Sequence, residues 1–536
     1  SYYGYDHTGK KITGNKSLDD FFSKKDANGN FTRQIGAYQP IYIAGYIQDK
    51  FDFKDMKFNV GIRVDRYDAN QKVLKDKFLF KEAKTIAEVD NLGSHPASLP
   101  TDAVVYVDDP VNPTKIVGYR VGNVWYNNAG TEIPDPIVLA QATTNGTIAP
   151  YLLNPTSSSV FEASAFKDYK PQINVMPRLA FSFPISDVAN FFAHYDILVQ
   201  RPTEAQRIDL TDYEFIFNNT GNPLNNPDLK PTKTTDYELG FTQILNEKKN
   251  SALKITAYYR ENRDMINIIR VSQAYPKTYL TYSNIDFGTT KGFQFEYDLR
   301  RTGGVSLTAN YTLQFADGSG SNSGGNYNLA NSGFPNLRVT LPLDNDIRHQ
   351  FTTNFDYRFG EGTDYRGPVV TSKKKNKTIQ ILKNVGGNVV LRAGSGTPYT
   401  RQSFPTPEAG GGGNKGSIVG QVNGSYKPWQ FRTDLRIDKN IELEWGKQKD
   451  GDKKKQANLN VYLQVLNLFN RKNVINVYGF TGNPNDDGYL ASPFAQQNIN
   501  VQNSPQSFAA LYSVKVNNPN NYSRPRVIRI GLQLDF

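Results

Sequence analysis

The chain has 536 residues, a formal net charge of +11 and no cysteine, which excludes disulfides, cysteine-ligated zinc and thiol catalysis. No run of about 18 apolar residues exists, so transmembrane helices are excluded as well. Yet Tyr and Phe number 32 each against Met 3, and Gly 43 marks a chain full of turns. The membrane class that hides from hydropathy in this way is the β-barrel, whose lumen face is polar and whose lipid face takes every second residue. The positive charge does not indicate nucleic acid. Its lysines sit in tight clusters, Lys373–Lys375 and Lys453–Lys455, and read as solvated turns, whereas a nucleic-acid groove interleaves Arg and aromatics along one surface. Ser1-Tyr2-Tyr3-Gly4 has neither a basic nor an apolar leader pattern, so a processed chain, or one starting partway through a longer protein, is expected.

Strand-period alternation begins near Ile41 and recurs along the chain. Phe58, Val60, Ile62 and Val64 oppose Asn59, Arg63 and Asp65. Leu253, Ile255, Ala257 and Tyr259 oppose Lys254, Thr256, Tyr258 and Arg260, and Phe293, Phe295, Tyr297 and Leu299 oppose Gln294, Glu296 and Asp298. The same split runs through Val305–Phe315, Phe351–Phe359, Trp429–Asp438 and Asn458–Val465, and ends with Ile528, Ile530, Leu532, Leu534 and Phe536 against Arg529, Gln533 and Asp535. Side chains of a strand alternate sides, so each segment has one apolar, aromatic-rich face and one charged face. A soluble sandwich also alternates, but these strands run about 10 to 13 residues, near the length that crosses a bilayer at a tilt.

Connections alternate short and long. Short turns fall at Asp52–Asp55, Ile185–Asp187, Asn246–Asn250 and Arg301–Gly304. Long polar segments fall at Asp68–Lys170, Arg201–Pro231, Asn262–Ile285, Asp317–Asp346, Thr397–Lys427 and Asn470–Tyr522. Short periplasmic turns against long external loops are what outer-membrane barrels show. Two connections on the short-turn side, Gly360–Asn384 and Trp445–Gln456, are longer and lysine-rich, suited to anionic inner-leaflet headgroups or a periplasmic partner. The count is about thirteen strands, the first and last running in the same direction, which cannot close as a regular antiparallel barrel. Further strands before Ser1 are therefore expected, because an open edge in lipid leaves backbone amides unsatisfied. The loop spanning 68–170 is too long to be structureless. Within it, Ala103–Val107, Lys115–Arg120 and Asn123–Tyr126 read as strands of a small external sheet.

Several segments resemble the TonB-dependent outer-membrane receptors. They are Asn226-Pro227-Asp228-Leu229-Lys230-Pro231 followed by Asp236-Tyr237-Glu238-Leu239-Gly240-Phe241, then Tyr46–Phe51, Gly61–Asp65, Lys291–Glu296, Asp346–His349, Gly396–Tyr399 and Val465–Asn470. Each is weak alone, but their order spans nearly the whole chain. The overall style resembles the large Bacteroidetes-type receptors. The resemblance implies a Gram-negative cell-envelope protein with a barrel of about twenty-two strands. Residues 1–536 would then be its C-terminal portion, with 68–170 an extracellular loop. It also implies a plug domain and TonB box that this sequence does not contain, with TonB acting on that plug. Gly531, Leu534 and Phe536 resemble the terminal signal read by the barrel-assembly machinery, although Ile530 stands where a polar residue is commoner. The implied function is active import of a bulky solute such as a siderophore, glycan, peptide or vitamin-like cofactor. Rivals are a passive porin and a structural or receptor barrel working with a surface lipoprotein or secretion assembly.

No catalytic constellation stands up. His7, His95, His194 and His349 are scattered without metal-ligand spacing, and Gly410–Gly413 lacks the Lys-Ser/Thr of a phosphate loop. Asp108-Asp109 and Asn483–Gly488, with Asp486 and Asp487, offer oxygens for a structural calcium or else form polar turns; no other cofactor is expected. Trp125 and Tyr126 are candidates to stack on a sugar or aromatic ligand, with packing inside the loop as the alternative. Arg201 and Arg401, the latter beside Tyr399, are candidates to meet an anionic solute, with solvated loop charges as the alternative. The topology predicts that impermeant amine reagents applied to intact cells miss Lys373–Lys375; labelling there would invert the orientation.

Overall fold

The computed structural model describes residues 4–536 apart from 14–17, 157–160, 203–206, 219–220, 373–376, 409–415 and 446–454. The Lys373–Lys375 and Gly410–Gly413 runs, and Lys453 and Lys454, lie outside the described residues. Thirteen strands follow one another in a single antiparallel path. They are β1 (Ile41–Phe53), β2 (Met56–Asp68), β3 (Gln172–Ser186), β4 (Ala189–Gln200), β5 (Thr232–Ile244), β6 (Ser251–Val271) and β7 (Tyr279–Thr302). The remainder are β8 (Val305–Gly318), β9 (His349–Arg358), β10 (Val385–Gly394), β11 (Gln430–Trp445), β12 (Lys455–Leu466) and β13 (Val527–Asp535). A two-residue strand, Leu341–Pro342, pairs with the end of β8 off this path. Among the described residues β1 and β13 each keep one unpaired edge, so the sheet is open and, as the turn lengths predict, starts and ends in the same direction.

Register explains why the faces stay clean. Residues opposite each other on antiparallel strands share a face, so Tyr195, Tyr237 and Tyr259 align across β4, β5 and β6. Phe295, Tyr311, Phe351, Ala393 and Phe431 align in the same way from β7 to β11. This apolar face is bare: Leu239 is 51% exposed and Ile530 79%. A continuous apolar surface of this extent has no place in water and is what a lipid-facing wall presents. His349 fits into it as an aromatic, stacked between Tyr311 and Trp429 with its Nδ1 2.9 Å from the Tyr311 hydroxyl.

The opposite face is laced with ion pairs between strands. Arg178 of β3 grips Asp196 of β4 with two nitrogens at 3.0 Å, and His194 adds a contact to the same carboxylate at 2.8 Å. Arg260 binds Asp236 at 2.6 Å, and Arg358 reaches across to Asp438 of β11 at 3.0 Å. Three glycines on this face lie beneath or beside aromatic rings of the next strand: Gly240 under Phe192, Gly292 beside Tyr258 and Gly531 under Tyr462. Gly531, whose assembly role was expected from resemblance, thus packs locally, while Leu534 and Phe536 point to the apolar side at 45% and 93% exposure.

Short turns join the strands at one end. Between β7 and β8, Gly303 and Gly304 both take positive φ, 62° and 88°, the primed two-residue turn that matches strand twist. At the other end the structure departs from the sequence reading. Asn262–Ile285, expected as a loop because of its polarity, is mostly strand: β6 and β7 continue as a two-stranded arm whose register reaches Val271 opposite Tyr279. A bulge between Asn262 and Ile266, with Asp264 at φ 57°, lets the arm leave the main sheet. Its polar residues lie beyond the apolar belt, where alternation no longer reports on lipid. Within Asn470–Tyr522 two helices form, Pro493–Asn500 and Pro505–Val516, each opened by a proline in its first turn.

Gly292 supplies a test of the sheet. A Cβ there would stand 2.0 Å from the Leu313 carbonyl oxygen and 2.9 Å from the Tyr258 hydroxyl, and the first is backbone that cannot swing away. Gly292→Val is expected to cost about 1–3 kcal/mol by overpacking, read as a lower urea midpoint for the folded, heat-modifiable species.

Candidate functional site

Beyond the long-loop end of the sheet lies a folded cap. The segment between β2 and β3 is clamped at its base by Lys72–Leu74 pairing with Phe166–Asp168. It then builds a four-stranded antiparallel sheet from Val104–Val107, Ile116–Val121, Val124–Asn127 and Glu132–Ile133. One apolar core joins this segment to three others: Phe21 of helix Leu18–Ser23, Ile208, Leu210, Tyr213, Ile216 and Leu224 after β4, and Val271 and Tyr279 at the tip of the arm. Edge-on ring pairs, Phe22 with Phe161 at 4.5 Å and Phe80 with Tyr213 at 5.4 Å, knit these segments together.

Arg120 sits at the centre of this core, with only 3% of its surface exposed. Its Nε donates to the Tyr106 hydroxyl at 2.9 Å, one Nη donates to the Gly122 carbonyl at 2.6 Å, and the other pairs with Asp76. The guanidinium also lies over the rings of Phe78 and Trp125, at 4.8 and 5.5 Å. A buried cation is tolerable only with such partners. Burial pushes the Tyr106 hydroxyl up to about 12, although the neighbouring Arg120 opposes the rise.

A cleft of about 990 Å³ opens between residues 135–148 of the cap, Ile216, Gly221 and Asn222, the arm tip 270–280 and helix Tyr327–Asn331. Its walls are mixed. Lys277 Nζ donates to the Ile216 and Phe217 carbonyls at 3.3 and 3.1 Å, and Arg270 Nη1 donates to the Asn331 carbonyl at 3.1 Å. Asp135 stands on the cap side, its carboxylate accepting from the Ile137 amide at 3.0 Å. A cleft of this size, with charged groups anchored on separate segments, can hold a polar solute of substantial size. Arg270, Lys277 and Asp135 escaped the sequence reading, because the arm that carries two of them read as loop.

The residues singled out from sequence fall in three separate places. Trp125 is 5% exposed, its ring packed against Phe78 and Tyr106, while Tyr126 is half-buried beside a second small core. Arg201, at the end of β4, lies over the rings of Tyr42 and Tyr67 at 4.5 and 5.0 Å. Tyr399 pairs with Ser425 in a short antiparallel ladder, and Arg401 is exposed beside it, its carbonyl accepting from the Val419 amide at 3.0 Å.

The calcium candidates are engaged in hydrogen bonds. Asp108 binds the Thr114 hydroxyl and the Thr114 and Lys115 amides; burial pushes its carboxyl up, but these donors outweigh burial and bring it to about 2. Asp487 accepts from the Tyr489 amide at 3.0 Å and the Tyr512 hydroxyl at 2.5 Å, and Asp486 accepts from the Gly488 amide at 2.8 Å. Among the described residues no group of three or more His, Asp or Glu side chains could hold a metal ion.

Replacing Arg120 by Ala leaves Asp76 and Tyr106 without their buried partner, a loss of about 3–5 kcal/mol for such pairs. Hydrogen exchange at residues 104–127 should accelerate on the order of a hundredfold while β3–β12 stay protected. Unchanged exchange would show that Arg120 does not hold the cap together.

Residues 1–468 match a family model described as TonB dependent receptor-like, beta-barrel. Solved structures similar to this chain include the ferric-catecholate import receptor Fiu of E. coli K12, at 12% identity and TM-score 0.39, covering 84% of this chain and 45% of that one. The hemophore receptor HasR of Serratia marcescens matches at 13% identity and TM-score 0.41, covering 82% and 50%. FpvA of P. aeruginosa, solved with a heterologous pyoverdine and iron, matches at 11% identity and TM-score 0.39, covering 93% and 48%. The chain thus spans about half the length of these structures, and no curated protein matches it. On the match across residues 1–468, the chain belongs to the TonB-dependent receptor-like β-barrel family.

Proposed function

We propose that this chain forms the wall and outer cap of a transporter that imports a bulky polar solute across the bacterial outer membrane. The short turns face the periplasm and the cap faces outside. TonB drives the cycle through a plug domain outside the sequence described. The observation that carries the reading is the cleft of about 990 Å³ between the cap and the arm, placed at the long-loop mouth of a sheet with one apolar and one charged face. The solved relatives named above import a ferric catecholate, or bind hemophore and heme or iron pyoverdine. A charged cleft built from several loops suits cargo of comparable bulk.

A deletion strain grown separately on iron chelates, glycans and peptides, with uptake measured directly, should lose one of these uptakes and lose it equally when tonB is removed. Ser272→Trp, which fills the cleft, should raise the half-saturating solute concentration about tenfold with little change in maximal rate, the mark of lost binding. Uptake that survives loss of TonB would instead indicate a passive pore. No change in any uptake would refute transport.

One observation supports a second reading, a receptor subunit of a surface assembly. Helix Pro505–Val516 leaves Leu511 and Val514 69% and 75% exposed, and Phe494 on the preceding helix is 76% exposed. A surface lipoprotein that stays bound during purification, and is lost on Leu511→Glu, would favour it.

A further inference from the structure

The apolar face of the sheet is not an even wall. Between β3 and β8 it is hollowed into a groove of about 720 Å³. The hollow arises because Ala193 and Ala257, with only methyl side chains, sit among Leu179, Phe181, Leu239 and Phe293. Six strands at roughly 4.8 Å spacing make it wide enough for several parallel hydrocarbon chains. The end nearer the cap is closed by a row of tyrosines, Tyr195, Tyr237 and Tyr259, whose ring centroids are 5.1 and 6.2 Å apart in succession. Next in the row, opposite Tyr259 on one side and Phe315 on the other, is Lys291.

Lys291 is the charged side chain among the residues that line the groove on this face; elsewhere the same face carries Asp49, opposite Val60, and Lys439, opposite Val461. Lys291 is exposed and makes no ion pair among the described residues. Two carboxylates of the same face, Glu261 and Asp317, lie on the cap side of Lys291, each opposite Thr289. Glu261 is paired with Arg263, whose guanidinium also lies 5.5 Å from the Phe287 ring, and Asp317, diagonal on β8, forms no ion pair with Lys291. Lys233 lies two residues beyond Thr235, farther toward the cap. A cation beside tyrosine hydroxyls at the upper margin of an apolar groove matches one chemistry: a phosphate held at headgroup level with acyl chains running down the groove.

We propose that this groove is a specific site for a phosphate-bearing lipid of the outer leaflet, with Lys291 pairing the phosphate and the groove between Ala193 and Ala257 seating its acyl chains. The site is independent of the transport reading, since it lies on the lipid-facing side of the wall.

The test is native mass spectrometry of the intact, detergent-purified protein after delipidation and addition of defined lipids. The probes are bisphosphorylated lipid A, phosphatidylglycerol, uncharged diacylglycerol and inorganic phosphate. The wild type should retain lipid A or phosphatidylglycerol, the preferred one naming the source, and should not retain diacylglycerol. Lys291→Gln should cut retention about fivefold, and Ala257→Trp, which fills the groove from the lipid side, should cut it comparably. Heat-modifiable mobility on gels confirms that both variants are folded. Equal retention by wild type and Lys291→Gln, equal retention of diacylglycerol, or full competition by inorganic phosphate would each overturn the proposal.

Discussion

The sheet on which the rest of the chain is mounted follows from one constraint: backbone amides and carbonyls that face lipid must find partners within the protein, at several kcal/mol for each failure. The meander of thirteen strands answers it, each strand satisfying its neighbours in strict antiparallel register. Once that pairing is imposed, side-chain chemistry has only two surfaces to work with. One is given to lipid, and the other collects the charges.

The charged surface is where the cost of carrying polar groups on a membrane wall is offset. Asp196, Asp236 and Asp438 are nearly buried, yet each is met by an arginine, from the adjacent strand for the first two and from across β10 for Asp438. Exposed ion pairs contribute little to stability; pairs that cover a buried carboxylate prevent a much larger loss. The aromatic–glycine contacts at Gly240 and Gly531 serve the same face differently, laying a ring over the glycine where a second side chain would crowd the wall. On the lipid side, small residues among aromatics produce relief rather than a flat wall, and Lys291 stands at its margin.

The cap obeys different physics. It lies outside the apolar belt, so it folds as a soluble unit does, around a buried aromatic core with one cation at its centre. The arm formed by β6 and β7 joins the two regimes, its base in the wall and its tip, Val271 and Tyr279, in the core of the cap. That continuity places the cleft between the cap and the arm, over the mouth of the sheet, and makes the position of Arg270 and Lys277 depend on both.

The wall was legible in the residue order: strand period, the alternation of faces and the odd, open path show because lipid on one side and water on the other write a two-residue repeat into every strand. Family membership was legible for a similar reason, since motifs such as Asp236–Phe241 and Lys291–Glu296 lie in that constrained wall. The cleft was not legible. Outside the belt no periodic constraint acts, so the Asn262–Ile285 arm looked like a polar loop and Pro505–Val516 gave no helical signal. Trp125 drew notice as an exposed-loop aromatic, but whether its ring faces a solute or a core depends on Phe78, Tyr106 and Arg120, residues brought to it only by folding. Tertiary structure alone decided which loop charges meet, because their separation in sequence says nothing of their distance across the mouth of the sheet.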